Sequence, residues 1–270
     1  MERLRALSPA RRRLVLVLVS ALLVAALAAT AVVVWRSIGG SIPPVAQDRP
    51  GPILLIPGYG GATGALEILA GELRAGGRDA TVVQLAGDGT GDLRGQAEVL
   101  AVAAEAALTR TGASSVDVVG YSAGGVVARL WIRDHDGAGV ARRVVTLGSP
   151  HHGTTVAELA VAIVPDECPL ACRQLVPGSD LLRELNAGDE TPDGPAYISI
   201  WTTLDEVVTP PESARLNGAL NLVVQEICAS SQVPHDNLPT DQVVSNIVVL
   251  QLGAGAPEDL STVDCQRLSS

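Results

Sequence analysis

Gly120-Tyr121-Ser122-Ala123-Gly124 has the spacing G-x-S-x-G, which places a serine at the tip of a sharp strand-to-helix turn. Such a serine is a candidate nucleophile. The flanking glycines relieve crowding in the turn, and the hydroxyl sits at the start of a helix, where the dipole favours developing negative charge. An incidental serine in a tight turn is the plain alternative. A serine hydroxyl needs a base, and the base needs an orienting acid. The chain has four histidines. His135 follows the helix after the turn, about three helical turns from Ser122, and reads as a surface residue. His151 and His152, in Gly148-Ser149-Pro150-His151-His152-Gly153, could reach the edge of a site. His235 lies in the late loop Val233-Pro234-His235-Asp236-Asn237-Leu238, where a base belongs if the order is serine, acid, histidine. The acid should end the strand-like run before that loop. Leu204-Asp205-Glu206-Val207-Val208 comes directly after Ile198–Thr203, making Asp205 the candidate and Glu206 its competitor. Acyl-transfer chemistry also needs two backbone N–H donors for an oxyanion, each worth about 3 kcal/mol. Ala123, just after the nucleophile, and Tyr59, in Pro57-Gly58-Tyr59-Gly60-Gly61, are the candidates; a plain glycine-rich turn is the other reading of that loop.

The elements that must position these residues alternate in type. Ile53–Ile56, Thr81–Leu85, Val116–Val119 and Val144–Leu147 are short apolar runs with the look of buried strands. Between and after them lie helical patterns at Ala65–Ala75, Asp92–Leu108 and Ala123–Asp134. Apolar strands separated by helices predict a parallel sheet covered on both faces. Residues 165–195 then break the rhythm, with several prolines, two cysteines and one short amphipathic stretch at Leu181, Leu182 and Leu185. Strands near Ala196–Thr203 and Ala219–Val224 and a helix near Asp241–Leu250 complete the pattern. One mainly parallel, doubly wound domain with an irregular insertion at about 165–195 is expected.

The 270 residues are 47% hydrophobic and include no Phe, so the core must be aliphatic. The formal charge is −10, unevenly spread. Residues 1–36 hold six arginines against Glu2, net +5, so the remainder carries −15. An acidic main domain repels phosphates, which excludes a nucleic-acid role. Arg11-Arg12-Arg13 precedes Leu14–Trp35, an apolar run of 22 residues, long enough for a transmembrane signal anchor. A cleaved signal peptide, with Ala26-Leu27-Ala28 as its cleavage site, is the alternative. Either one exports the main domain. The expected organisation is 1–36 basic terminus and anchor, 37–50 linker, 51–253 catalytic domain and 254–270 C-terminal tail. Cys168, Cys172, Cys228 and Cys265 all lie beyond the anchor, and in an oxidising compartment they could form two disulfides. Proximity suggests Cys168 with Cys172 and Cys228 with Cys265. The spacing is poor for a zinc site, and no metal is expected.

Together these segments resemble the bacterial class 2 lipases, small hydrolases of the α/β-hydrolase fold. The resemblance spans roughly 51–252. It rests on Ile53–Gly61, Gly120–Gly125, Leu147–Thr154, Leu204–Val208 and the His235 loop, of which Gly148–Thr154 is the most distinctive. It implies a Ser122–Asp205–His235 triad, an oxyanion hole at Tyr59 and Ala123, hydrolysis of carboxylic esters including acylglycerols, and no cofactor. Many relatives carry His-Gly where this chain has Pro57-Gly58; the donor in question is a backbone N–H, so the chemistry should survive the change. The paired Cys168 and Cys172 also resemble those of secreted members, where such an insertion lies near the site. The expected partners are an ester or lipid substrate and, through the N-terminal helix, a membrane. A monomer is the default expectation.

Two other readings use the same residues. An acyltransferase acting on envelope lipids would share the acyl-enzyme and differ only in its acceptor. A membrane-tethered binding domain would carry the fold without the chemistry, and predicts a broken triad.

Overall fold

The computed structural model describes residues 45–270, together with Arg13, residues 18–27 and Thr30. The chain divides into two units, 1–42 and 43–270. In the first, residues 18–27 are helical and exposed. The anchor expected over Leu14–Trp35 falls largely outside the described residues; among those described, no helix is long and apolar enough to cross a membrane. Most of the expected linker, residues 37–44, lies outside them too.

The second unit alternates strand and helix for its first half. The strands are β1 (Ile53–Ile56), β2 (Ala80–Val82), β3 (Val116–Tyr121), β4 (Ala141–Leu147), β5 (Ala196–Trp201) and β6 (Leu220–Val223). The helices are α1 (Gly64–Ala75), α2 (Leu93–Thr111), α3 (Ala123–Asp134), α4 (Thr155–Ile163), α5 (Leu170–Gln174), α6 (Asp180–Leu185), α7 (Val224–Ile227), α8 (Gln242–Gln251) and α9 (Cys265–Leu268). All strand pairings are parallel, in the order β2-β1-β3-β4-β5-β6. Every carboxyl end therefore points the same way, and loops carrying a site converge on one edge.

Residues of β1, β3 and β4 are buried on both faces of the sheet, because crossover helices cover each side. Leu66, Leu69 and Leu73 of α1 and Val244, Ile247 and Val248 of α8 join Ile53, Leu55, Val119 and Ile198 in one aliphatic core. On the other side α2 and α3 pack on each other and on β1 and β3. Helix α3 is buried along nearly its whole length, from Ala123 to Ile132. α2 starts cleanly because Asp92 caps it, accepting the Arg94 N–H at 3.0 Å; it ends at Gly112, whose φ of 69° suits glycine.

Several boundaries differ from the sequence expectation, three of them in β2, β3 and β4. β2 stops at Val82 rather than Leu85, since the chain leaves the sheet edge after the Val83 N–H reaches the Leu55 carbonyl. β3 continues to Tyr121. β4 begins at Ala141 and includes Arg142 and Arg143, both buried. The Arg142 guanidinium grips Asp117 through two bonds of 2.8 and 2.7 Å. Arg78 adds a third at 2.8 Å. Arg142 also donates to the carbonyls of Gln47, Leu252 and Gly253, so this charge cluster ties both ends of the domain to the sheet.

The insertion at 165–195 holds a 3-10 turn at Pro165–Glu167 and helices α5 and α6. Both disulfides are formed, Cys168–Cys172 and Cys228–Cys265, leaving no free cysteine for a metal. The second bond pins residues 254–270 to the domain, where Leu260 and Leu268 are buried.

Candidate active site

Ser122 stands between β3 and α3 with φ 52° and ψ −125°, a backbone conformation that costs a non-glycine residue of order 1–3 kcal/mol. The surroundings enforce it. The Ser122 N–H donates to the Leu147 carbonyl at 2.8 Å, and the neighbouring glycines are closely packed. A methyl at Gly120 would lie 2.6 Å from the Gly125 backbone, and one at Gly124 would lie 2.3 Å from the Ile56 carbonyl oxygen. Gly125 is a third obligatory glycine, since a Cβ there would meet Ser149 Oγ at 2.1 Å.

The structure brings Ser122, Asp205 and His235 into one hydrogen-bonded line. His235 occupies a 3-10 turn introduced by Pro234. Its Nε2 is 3.1 Å from Ser122 Oγ, and its Nδ1 is 2.7 Å from Asp205 Oδ2. A carboxylate only accepts, so the ring carries its proton on Nδ1 and offers the Nε2 lone pair to the serine O–H. Asp205 Oδ1 accepts the N–H groups of Val207 and Val208 at 2.9 and 2.7 Å. That tight turn aims Asp205 inward and leaves Glu206 exposed. Tyr121 packs against the imidazole, its ring tilted by 35° with centroids 5.2 Å apart. Burial, with the Asp236 and Asp205 carboxylates near it, pushes its phenol pKa up, so Tyr121 acts as a neutral wall.

The other histidines sit elsewhere. His151 is fully buried, with Nε2 3.1 Å from Thr146 Oγ1. Thr146 donates onward to Ser199 Oγ, and Ser199 to the Ala214 carbonyl. Burial, with the Arg129 guanidinium nearby, holds this imidazole well below its ordinary pKa. His152 faces Glu190 at 3.2 Å and the Ser213 carbonyl at 3.3 Å. His135 ends α3, far along the helix from the serine.

Gly58 packs directly on Ser122: a methyl there would come within 3.0 Å of its Cβ. The loop carrying Tyr59 therefore runs beside the serine. Ala123, as the first residue of α3, has an N–H with no partner inside the helix. A cavity of about 230 Å³ opens at Ser122, walled by Tyr59, Ala157, Leu175, Val207 and Val208 among others. Its walls are largely aliphatic, with Glu167 the one charged residue among them.

Gly148 has no individual role that its sequence context assigns, yet it sits against the Asp205–His235 pair. It has φ 53°, and a Cβ there would lie 3.1 Å from His235 Nδ1 and 3.2 Å from Asp205 Oδ2. The available signal was a glycine closing a buried strand at the same sheet edge as Ser122. Thr154, whose hydroxyl bonds to the turn after Asp205, lies within the distinctive Gly148–Thr154 run, but nothing in that run assigns it a role of its own.

Solved structures share this fold. Aspergillus fumigatus lipase B superposes with a TM-score of 0.67 at 19% identity, over 82% of this chain and 56% of that one. This chain thus spans little more than half of that lipase's length. The mature form of Bacillus licheniformis lipase BlEst2 gives a TM-score of 0.55 at 20% identity, over 67% of this chain and 85% of that one. Identities this low establish the α/β-hydrolase fold alone. The sequence itself matches the family described as Lipase (class 2) over residues 103–252. That is more than half of the chain, and it includes the turn at Ser122, the Gly148–Thr154 run, Asp205 and His235. This chain belongs to the class 2 lipases, a family of carboxylic ester hydrolases.

Proposed function

We propose that the protein is an exported serine esterase or lipase that cleaves neutral carboxylic esters, acylglycerols included, through an acyl-enzyme on Ser122. The observation that carries this reading is the Ser122–His235–Asp205 line, with separations of 3.1 and 2.7 Å, at the mouth of an aliphatic cavity. Ser122 Oγ attacks the ester carbonyl while His235 Nε2 takes its proton. Asp205 stabilises the imidazolium that results and keeps the ring oriented. The carbonyl oxygen, now carrying the negative charge, is held by the N–H groups of Tyr59 and Ala123. Collapse of the tetrahedral species breaks the bond to the alcohol, which leaves with the proton from Nε2. Water then attacks the acyl-serine by the same route, losing its proton to His235, and releases the acid. The acyl chain would lie along Ala157, Leu175, Val207 and Val208, which offer it dispersion contacts and no charge.

Two disulfides and no free cysteine favour an oxidising compartment, which is why we place the domain outside the cytosol. The test is hydrolysis of p-nitrophenyl esters from short to long acyl chains by the full chain and by Ser122→Ala, with labelling by a fluorophosphonate serine probe. We expect turnover and labelling in the parent and neither in the variant. Undiminished turnover by folded Ser122→Ala overturns the mechanism.

A further inference from the structure

Thr154 is buried at the start of α4, and its one hydroxyl makes three bonds to main-chain groups besides a long 3.5 Å contact with Thr209 Oγ1. Oγ1 accepts the Val156 N–H at 3.2 Å, the ordinary capping bond of a helix N-terminus. The other two bonds reach across the sheet edge. Oγ1 donates to the Val207 carbonyl at 2.7 Å and accepts the Thr209 N–H at 3.1 Å. A main-chain bond from the Thr155 N–H to the Thr209 carbonyl, at 2.8 Å, runs alongside.

The turn held in this way is the one that orients Asp205. Besides the bond from His235, the Asp205 carboxylate takes bonds only from the N–H groups of Val207 and Val208 among the described residues. Its rotamer is therefore set by where the 207–208 backbone stands. A continuous chain of bonds runs from the Thr154 hydroxyl through the turn to Asp205, then to His235 Nδ1 and from Nε2 to Ser122. Val207, Val208 and Thr154 all line the cavity as well, so one hydroxyl registers the acid and the pocket wall together.

We propose that Thr154 is a positioning residue for the reaction, acting through the 207–209 turn on Asp205. The inference rests on the triad reading given above. Substituting Thr154→Val keeps the shape but leaves the Val207 carbonyl and the Thr209 N–H unpaired, so the turn should relax and Asp205 with it. Misplacing a reacting group by about an ångström costs roughly a hundredfold in rate, so kcat should fall about tenfold to a hundredfold. KM should change little, because the side-chain volume facing the cavity is retained. Thr154→Ser keeps the hydroxyl and should recover most of the loss.

The decisive measurement is a double-mutant cycle in the full chain, with kcat and KM on p-nitrophenyl butyrate for Thr154→Val, Asp205→Asn and the double variant. Assays run at a temperature where circular dichroism shows each variant folded, with Thr154→Ala replacing Thr154→Val if the latter does not fold. If Thr154 acts through Asp205, adding the Thr154 substitution to Asp205→Asn should change kcat by less than about twofold. Equal losses in both backgrounds, or a Thr154→Ser enzyme as impaired as Thr154→Val, overturn the role of Thr154. An Asp205→Asn enzyme with parental kcat overturns the triad reading as well, and the two failures are thus told apart.

Discussion

Replacing Gly148 by Ala tests how tightly Asp205 and His235 are seated. Gly148 has φ 53°, and the added methyl would lie 2.6 Å from Leu238 Cδ1, 3.1 Å from His235 Nδ1 and 3.2 Å from Asp205 Oδ2. Leu238 can rotate away at modest cost. The imidazole and the carboxylate cannot both do so, because each is fixed on its far side by Ser122 or by the Val207 and Val208 N–H groups. Ordinary contact starts at 3.4 Å, so each polar group must yield by a few tenths of an ångström, prising at the 2.7 Å bond between them. The left-handed backbone costs alanine about 1–2 kcal/mol, and overpacking adds about 1–3 kcal/mol. The variant should therefore lose roughly 2–5 kcal/mol of stability. Its kcat should drop about tenfold or more, below the roughly ten-thousandfold effect known for disabling a triad acid. KM should hold, since Gly148 does not line the cavity. Gly112→Ala is the control: φ is 69° there, but nothing lies within 4 Å of the added methyl. It should show the backbone cost without loss of kcat. Steady-state kinetics and urea titrations on both variants suffice. A folded Gly148→Ala enzyme with kcat within twofold of the parent would refute the argument.

The buried charge cluster should behave differently from a surface pair. Asp117→Ala leaves Arg142 without its carboxylate at zero exposure, and should destabilise the domain by about 3–5 kcal/mol in urea titrations; a loss under 1 kcal/mol contradicts the account. His151 should make stability depend on pH. Folded, its pKa lies well below 6.5; unfolded, the ring titrates near 6.5, so below that pH only the unfolded chain takes up the proton. Its contribution is therefore complete above pH 6.5 and is lost as the pH falls, at up to about 1.4 kcal/mol per unit. Urea titrations at pH 7.5, 6.5 and 5.5 should show that slope in the parent and a flatter one in His151→Gln; equal slopes would remove His151 as the cause. The two disulfides should also differ in weight, because loop-closure entropy grows with the segment enclosed. Cys228–Cys265 spans 37 residues and Cys168–Cys172 spans 4, which gives about 4 and about 2 kcal/mol respectively. Paired Cys→Ala variants compared by thermal melting test the order, and a larger loss at 168–172 reverses it.

Whatever depends on near neighbours in the chain was legible without coordinates. The alternation of short apolar runs with longer helical patterns announces a parallel sheet, because side-chain periodicity is a local property. Gly120-Tyr121-Ser122-Ala123-Gly124 announces the turn because a strand cannot enter a helix that sharply with larger residues at those positions. Chain order singled out His235 among four histidines, and proximity suggested both disulfides. What tertiary structure alone decided are the features whose partners lie far away in sequence. Arg142 and Arg143 lie buried in β4 because Asp117, Gln47 and the carbonyls of residues 251–255, all distant in sequence, take the bonds of their guanidinium groups. Asp205, already favoured over Glu206 by its position after the strand, meets an imidazole thirty residues on, and the turn that holds its carboxylate is bonded to a threonine some fifty residues earlier. Gly148 is needed where it is because two side chains from distant loops occupy the space its methyl would fill. Periodicity reports which way a residue faces along its own element; which distant group meets it there is settled only when the chain closes on itself.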